Sequence, residues 1–545
     1  MKKIKFLAPV LALALFSCDQ YLDINESENN LLYEQVTPAL LLPGAQLSTY
    51  RVQATTMNQL GNVFMNSWTR NVNSYGNGFD KELQLNVDNS FYNGIWDGLY
   101  RNLKNFDGII NYSNASGKYD YYVAAAKICK AHYMQYIVDL YGDAPYTEAW
   151  KGGANTTPKY DDDFTIYKAL IAELEGARTL IANADPNVVL DMGAKDIMLG
   201  GDMARWEEFA NTVQLRMCLR MSGSTGAVAT FRDTKLAAIA SGPFLSDNVA
   251  INPGFDGSTD ANVNPVANTF FWDVAGNNQA NRLFIAMSGH AYKSLQSYAT
   301  TNYPAAGSQE IVPGSGVNYP NLTDGRSGRL FTAGVGTTSR RAVNQGSSQV
   351  DVGAVGVAYP GPPSRLGAQG HVNPYDQALI FAGVNLGYAQ DFFGVDGFVM
   401  LYSESCLLQA EAAIRYPALF SNGQTNFENA ITDSFLFRNA TISTYITLIN
   451  AKPNFGWTGT DTQKLHAVMY QKWVALMGIH GIESYIDYTR TGFPLTPLST
   501  VAINPRKPYR LIYPVSEYVA NSGNVPNVST SEIFTINSKT PFWKQ

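Results

Sequence analysis

The side chains able to do chemistry are scattered. The five histidines, His132, His290, His371, His466 and His480, show no metal-ligand spacing. The chain holds no H-E-x-x-H, no G-x-S-x-G, no P-loop and no G-x-G-x-x-G, the arrangements that would bring zinc, an activated serine or a phosphate cradle. Four cysteines, Cys18, Cys129, Cys218 and Cys406, form no C-x-x-C, and the last three fall in apolar helix-like stretches where a thiol serves as a small hydrophobe. Hydrolysis of a glycosidic bond needs only two facing carboxylates, about 5–10 Å apart. With 45 Asp and Glu present, composition leaves that reading open, and no pattern points to a pair. Asp161-Asp162-Asp163 has the hard oxygens calcium prefers. Directly before an apolar-periodic stretch, N-capping by Asp163 and dipole complementation explain the run better. Asp324-Gly-Arg-Ser-Gly-Arg329 fails the calcium-loop pattern, because its twelfth position is Val335 rather than glutamate. No metal or cofactor is expected.

Binding asks for different groups. Sugar rings lay C–H patches on aromatic faces, while their hydroxyls pair with amides, carboxylates and guanidinium groups. Two regions offer that mixture. One is the stretch Trp68 to Tyr75, with Trp68, Asn71 and Tyr75 as candidates, read as a loop after a helix. The other is a Gly-, Ser-, Asn- and Pro-rich stretch over about 248–390, with Trp272, Tyr319, Tyr359 and Tyr388. Loops this long in a compact chain are commonly functional. Phe91, Tyr92, Trp96, Tyr100 and Leu103 instead have helical spacing and read as core, as do Trp206 and Trp473.

The elements that must position these groups are helical. Ile166, Leu170, Leu174, Ala177 and Ile181 recur at three and four residues, one face of a helix. Asp202 is placed to cap a second helix, with Trp206, Phe209, Val213 and Met217 on a stripe. Tyr122 to Leu140 makes a third, closed by Gly142 with Pro145 beyond. Helical pattern returns over Met400–Tyr416 and along Leu465, Met469, Trp473 and Leu476. Asn504–Asn527 is punctuated by Pro and Asn and is expected to wrap the surface. The 545 residues carry a net charge of −6, so no basic field exists to attract nucleic acid or anionic lipid.

The first residues read as an export signal. Lys2, Lys3 and Lys5 precede the apolar run Phe6–Phe16, too short to span a bilayer. Leu15-Phe16-Ser17-Cys18 resembles the lipobox of bacterial lipoproteins, which implies that Cys18 carries lipid. The expected organisation is a signal peptide over 1–17 and an anchor with flexible leader over 18–36. One domain over 37–545 follows, with its insertion at about 248–390.

Six segments, in order, resemble the SusD/RagB family: the lipobox with Asp19-Gln-Tyr-Leu-Asp23; Asp139-Leu-Tyr-Gly-Asp-Ala-Pro-Tyr-Thr-Glu148; Gly200 to Asn211, continuing through Arg216-Met-Cys-Leu-Arg-Met-Ser222; Tyr402-Ser-Glu-Ser-Cys-Leu-Leu-Gln-Ala-Glu-Ala412; Gln471 to Leu476 with Gly481 to Pro494; and Arg510-Leu-Ile-Tyr-Pro514 with Glu517 to Pro526. The resemblance implies a mainly α fold with tetratricopeptide-like helix pairs. It also implies a non-enzymatic lipoprotein at the outer membrane, facing the cell exterior. Such a protein captures an oligosaccharide for a SusC-like TonB-dependent barrel. A peptide cargo, or less readily glycoside hydrolysis, are the alternatives. The matching segments themselves read as scaffold.

Overall fold

The computed structural model describes residues 36–72, 78–297, 319–332, 340–350 and 393–545. Helix accounts for 53% and strand for 5% of it, so the fold is mainly α. Helix α1 (Pro38–Val52) starts on a proline, tolerated where the N–H is an orphan. It passes through one π-turn (Gln53–Met57) into α2 (Asn58–Phe64). Then follow α3 (Gly94–Ile110), α4 (Asp120–Tyr141), α5 (Asp163–Asn183), α6 (Met203–Arg220) and α7 (Gly226–Ile239). Short α8 (Gly289–Leu295) lies in the insertion. Beyond it run α9 (Tyr402–Arg415), α10 (Gly423–Phe437), α11 (Asp461–Leu476) and α12 (Gly481–Thr491). Neighbours in sequence pack as pairs: α3 with α4, α4 with α5, α5 with α6, and α9 with α10.

Burial follows the periodicity. On α5 the buried face is Ile166, Leu170, Leu174 and Ala177, joined by Tyr167 and Ile171. Helix α4 is buried on every side from Tyr122 to Tyr141 apart from Lys127. It ends at Gly142, whose φ of 76° only glycine adopts without strain. Asp202 caps α6 by accepting from the N–H groups of Ala204 and Arg205.

Several boundaries differ from expectation for local reasons. The cap of α5 is Asp162, which accepts from Thr165 N at 2.8 Å, and Asp163 is the first helical residue. Phe91 and Tyr92 precede α3, with Tyr92 at a φ of 51°. The stretch from Met400 opens as a strand. Residues 507–514 run through the interior, with Leu511 and Tyr513 fully buried, because their apolar side chains find room against α4.

Four short strands tie the insertion to the body. β1 (Trp68–Arg70) and β3 (Ile285–Met287) pair antiparallel, Trp68 opposite Met287 and Arg70 opposite Ile285. β2 (Val249–Ile251) pairs antiparallel with β4 (Gly397–Met400), so the insertion leaves and returns through one ribbon.

Candidate functional site

Trp68 to Asn71 is the pivot of the insertion. Beyond the β1–β3 pairing, Asn71 N donates to Phe284 O at 2.7 Å. On the opposite edge of β3, Val343 N donates to Met287 O at 3.1 Å and Gly289 N to Val343 O at 2.9 Å. Gln345, buried, donates from Nε2 to Val63 O and Trp68 O, each at 2.8 Å. Residues 72 and 78, 297 and 319, and 332 and 340 flank three stretches outside the description. His290 Nδ1 stands 3.3 Å from Tyr319 Oη, and Arg340 Nε donates to Phe331 O at 3.1 Å. The roots of these stretches therefore gather around one small ribbon.

The candidate aromatics that are described lie within this footing. Trp68 is 1% exposed, its ring edge-on to Phe270 at 5.4 Å. Trp272 is 4% exposed, with the Arg282 guanidinium 4.9 Å from its ring. Tyr319 is buried against His290, whose own ring lies 5.2 Å from that of Trp473. Burial, with Lys507 and Lys293 nearby, drives the His290 imidazole down to about 3, so it stays neutral. The Asn71 side chain is buried as well. Tyr75, Tyr359, Tyr388 and Cys18 lie outside the described residues. In this arrangement the buried rings offer no open face to a ligand; they pin the bases of the loops.

Sequence reasoning missed the densest cluster of charged groups among the described residues. Arg220, with no exposed side chain, donates from Nη1 to Asp487 at 2.6 Å, from Nε to Asp139 at 3.1 Å, and from Nη2 to Glu483. Arg490 grips Glu411 with both terminal nitrogens, at 2.6 and 2.8 Å, and reaches Asp487 at 2.9 Å. Lys472 Nζ lies 2.8 Å from Asp487, and Arg216 Nη1 lies 3.2 Å from Glu483. At one edge Arg415 pairs with Glu411, and Glu404 lies 3.5 Å from both Arg216 and Lys472. Arg216, Arg220, Arg415, Lys472 and Arg490 thus balance Asp139, Glu404, Glu411, Glu483 and Asp487. Burial alone would raise each carboxyl. For Glu483 and Asp487 the surrounding cations win, and both sit below the usual range. Burial and Arg216 keep His132 neutral, accepting from Arg216 Nη2 at 2.9 Å. The one local sign is charged residues four apart, Arg216/Arg220 and Glu483/Asp487, each next to an apolar residue.

Apart from Arg415 and His132, these groups come from the segments that carried the resemblance, and four of the six segments meet at this one centre. The chain matches the family described as "Starch-binding associating with outer membrane" over residues 29–288 and 367–514. The chain belongs to the SusD-like family. Solved structures show the same fold. A chitin-binding SusD homologue from Flavobacterium johnsoniae aligns with a TM-score of 0.64 at 19% identity, over 89% of this chain and 94% of that one. A SusD-like protein from Bacteroides thetaiotaomicron aligns at 0.61 and 21%, over 89% and 94%. A SusD homologue from Bacteroides uniformis aligns at 0.62 and 17%, over 93% and 99%. No curated protein matches the chain.

Among the described residues of this SusD-like chain, one group of carboxylates has metal-ligand proximity: Asp143, Asp162 and Asp163, with oxygens within 4.8 Å of one another. Each already has local work. Asp143 accepts from Asp163 N at 3.0 Å, Asp162 caps α5, and Asp163 accepts from Phe542 N at 2.8 Å. Burial, offset in part by the Phe542 N–H, raises Asp163 to about 7. This cluster clamps the C-terminal segment against α5.

Proposed function

We propose that this SusD-like chain is a cell-surface capture protein, anchored by lipid on Cys18. In this reading it holds an oligosaccharide without altering it and passes it to a SusC-like TonB-dependent barrel. The observation that carries the proposal is the family match over most of the chain. The rooting of three stretches on the β1–β3 ribbon, one of them holding Tyr75, supports placing the site there. Trp68, Asn71, Trp272 and Tyr319 serve as its footing, and Tyr75, Tyr359 and Tyr388 supply the rings that meet the sugar. The chitin-binding relative supports a saccharide as the class of ligand.

Calorimetric titration of the lipid-free chain against maltooligosaccharides, chitooligosaccharides and peptides tests it, with each sample assayed for products. Saturable binding of an unchanged saccharide is expected. Product release would replace the reading with a hydrolase, and binding of peptides alone would keep the architecture and change the cargo.

A further inference from the structure

Six of the eight tryptophans are at most 4% exposed. The other two, Trp150 and Trp457, are half-buried. Trp150 is taken up by the fold: Lys130 Nζ lies 4.9 Å from its ring centre, and its Nε1 donates to Tyr100 O at 2.8 Å. Trp457 differs, since no group among the described residues accepts from its indole N–H.

Trp457 stands in the turn between the short helix Tyr445–Asn450 and α11. The turn is rigidly made. Gly456 N donates to Lys452 O at 2.9 Å and Thr458 N to Gly456 O at 2.8 Å. Gly456 lies so close to the short helix that a Cβ would fall 2.0 Å from Ile449 O. One side of the indole rests on α10. A Cβ on Gly423 would come within 2.8 Å of the ring, and the Phe427 ring centre is 5.5 Å away. Lys464 Nζ is 5.8 Å from the ring centre.

Polar groups are set out beside the ring. Asn450 Oδ1 accepts from Trp457 N at 3.0 Å, and its Nδ2 donates to Glu428 Oε1 at 2.7 Å. Gln424 Nε2 donates to the same oxygen at 2.9 Å. Trp457, Asn450, Glu428 and Gln424 therefore form one hydrogen-bonded chain, with Gln424 exposed and the other three half-buried. A supported aromatic ring beside a carboxylate and two amides is the mixture a sugar asks for: C–H patches meet the ring, and hydroxyls donate to the carboxylate or pair with the amides. The carboxylate favours a neutral sugar over an anionic one.

We propose that Trp457, Glu428, Asn450 and Gln424 form a second saccharide-contact site, sharing no residue with the β1–β3 ribbon. This inference rests on the reading of the ligand as a saccharide. A polymer long enough to touch both places is retained by two contacts acting together, because the first raises the local concentration of chain at the second.

The lipid-free chain labelled with 5-fluorotryptophan tests it. Maltoheptaose and chitohexaose are titrated in while the fluorine signals are followed, the Trp457 signal being assigned through Trp457→Phe. That signal should shift saturably with the saccharide that binds. Glu428→Ala, which leaves the packing under the ring in place, and Trp457→Ala should each cut retention on granular starch or chitin about fivefold, with melting temperatures checked for both. A saccharide that binds while the Trp457 signal stays fixed, or full retention of a well-folded Glu428→Ala, would overturn the second site and leave the ribbon reading standing. Failure of every saccharide to bind would overturn both.

Discussion

Arg220 has no solvent to turn to, so its charge must be met within the fold, and three carboxylates meet it. Such a centre adds little net stability over an apolar core, yet removing one partner strands the others at a cost of about 3–5 kcal/mol. Arg220→Met is therefore expected to lower the unfolding free energy by that order, read as a lower urea midpoint, and an unchanged midpoint would show that the acids re-pair or take up protons cheaply. Asp163 runs the other way. Its folded-state carboxyl, raised to about 7, lies above the unfolded value, so the folded state binds the extra proton and stability falls as pH rises from about 4 to about 7. Above that window the carboxylate is a standing penalty. Asp163→Asn should then stabilise the protein at pH ~8 by about 2 kcal/mol and have little effect at pH ~4. A gain of the same size at both pH values would exclude protonation as the cause. Neither role was legible from sequence. Arg216 and Arg220 stood on a helix of known period and Glu483 and Asp487 share their four-residue spacing, which hints at charges on one helix face, but a partner hundreds of residues away leaves no mark on local pattern, so the pairing itself was hidden.

Helices were legible because their signals are local. The stripe Ile166 to Ala177, the Asp202 cap and the Gly142 stop each lie within one element, and each appears where the spacing placed it. The strands were not, since three or four residues are too few to show alternation and their pairing is long-range: the sequence around Trp68 has loop character, and the residue lies in β1. That placement reverses the experiment the sequence alone would recommend. Trp68→Ala opens a cavity in the footing and should cost about 3–5 kcal/mol in unfolding free energy. Tyr359→Ala should leave the melting temperature in place and weaken saccharide affinity. Loss of affinity in a fully stable Trp68→Ala would instead return that ring to the ligand surface. Helices α2 and α12 cross at Gly61, where an added Cβ would fall 2.0 Å from the carbonyl carbon of Gly481. Backbone cannot swing aside as a side chain does. Gly61→Ala should destabilise by about 3 kcal/mol, read as a lowered melting temperature, and a neutral effect would mean that the crossing is looser than the geometry implies.

At the scale of the whole molecule, field and scaffold point to the same kind of ligand. The buried ion network pairs ten charged side chains with one another, and the full chain carries −6. A protein built this way has no long-range field with which to draw in an anionic polymer. Recognition must then come from short-range contacts, ring stacking and hydrogen bonds with sugar hydroxyls, which salt screens weakly. Affinity for a neutral oligosaccharide should accordingly change by less than about twofold between ~50 mM and ~500 mM NaCl, while heparin should show no saturable binding at either. A steep fall in affinity with salt would reveal a concentrated basic surface within the loops and would move the cargo from neutral to acidic glycans, leaving the scaffold and its rooted ribbon unchanged.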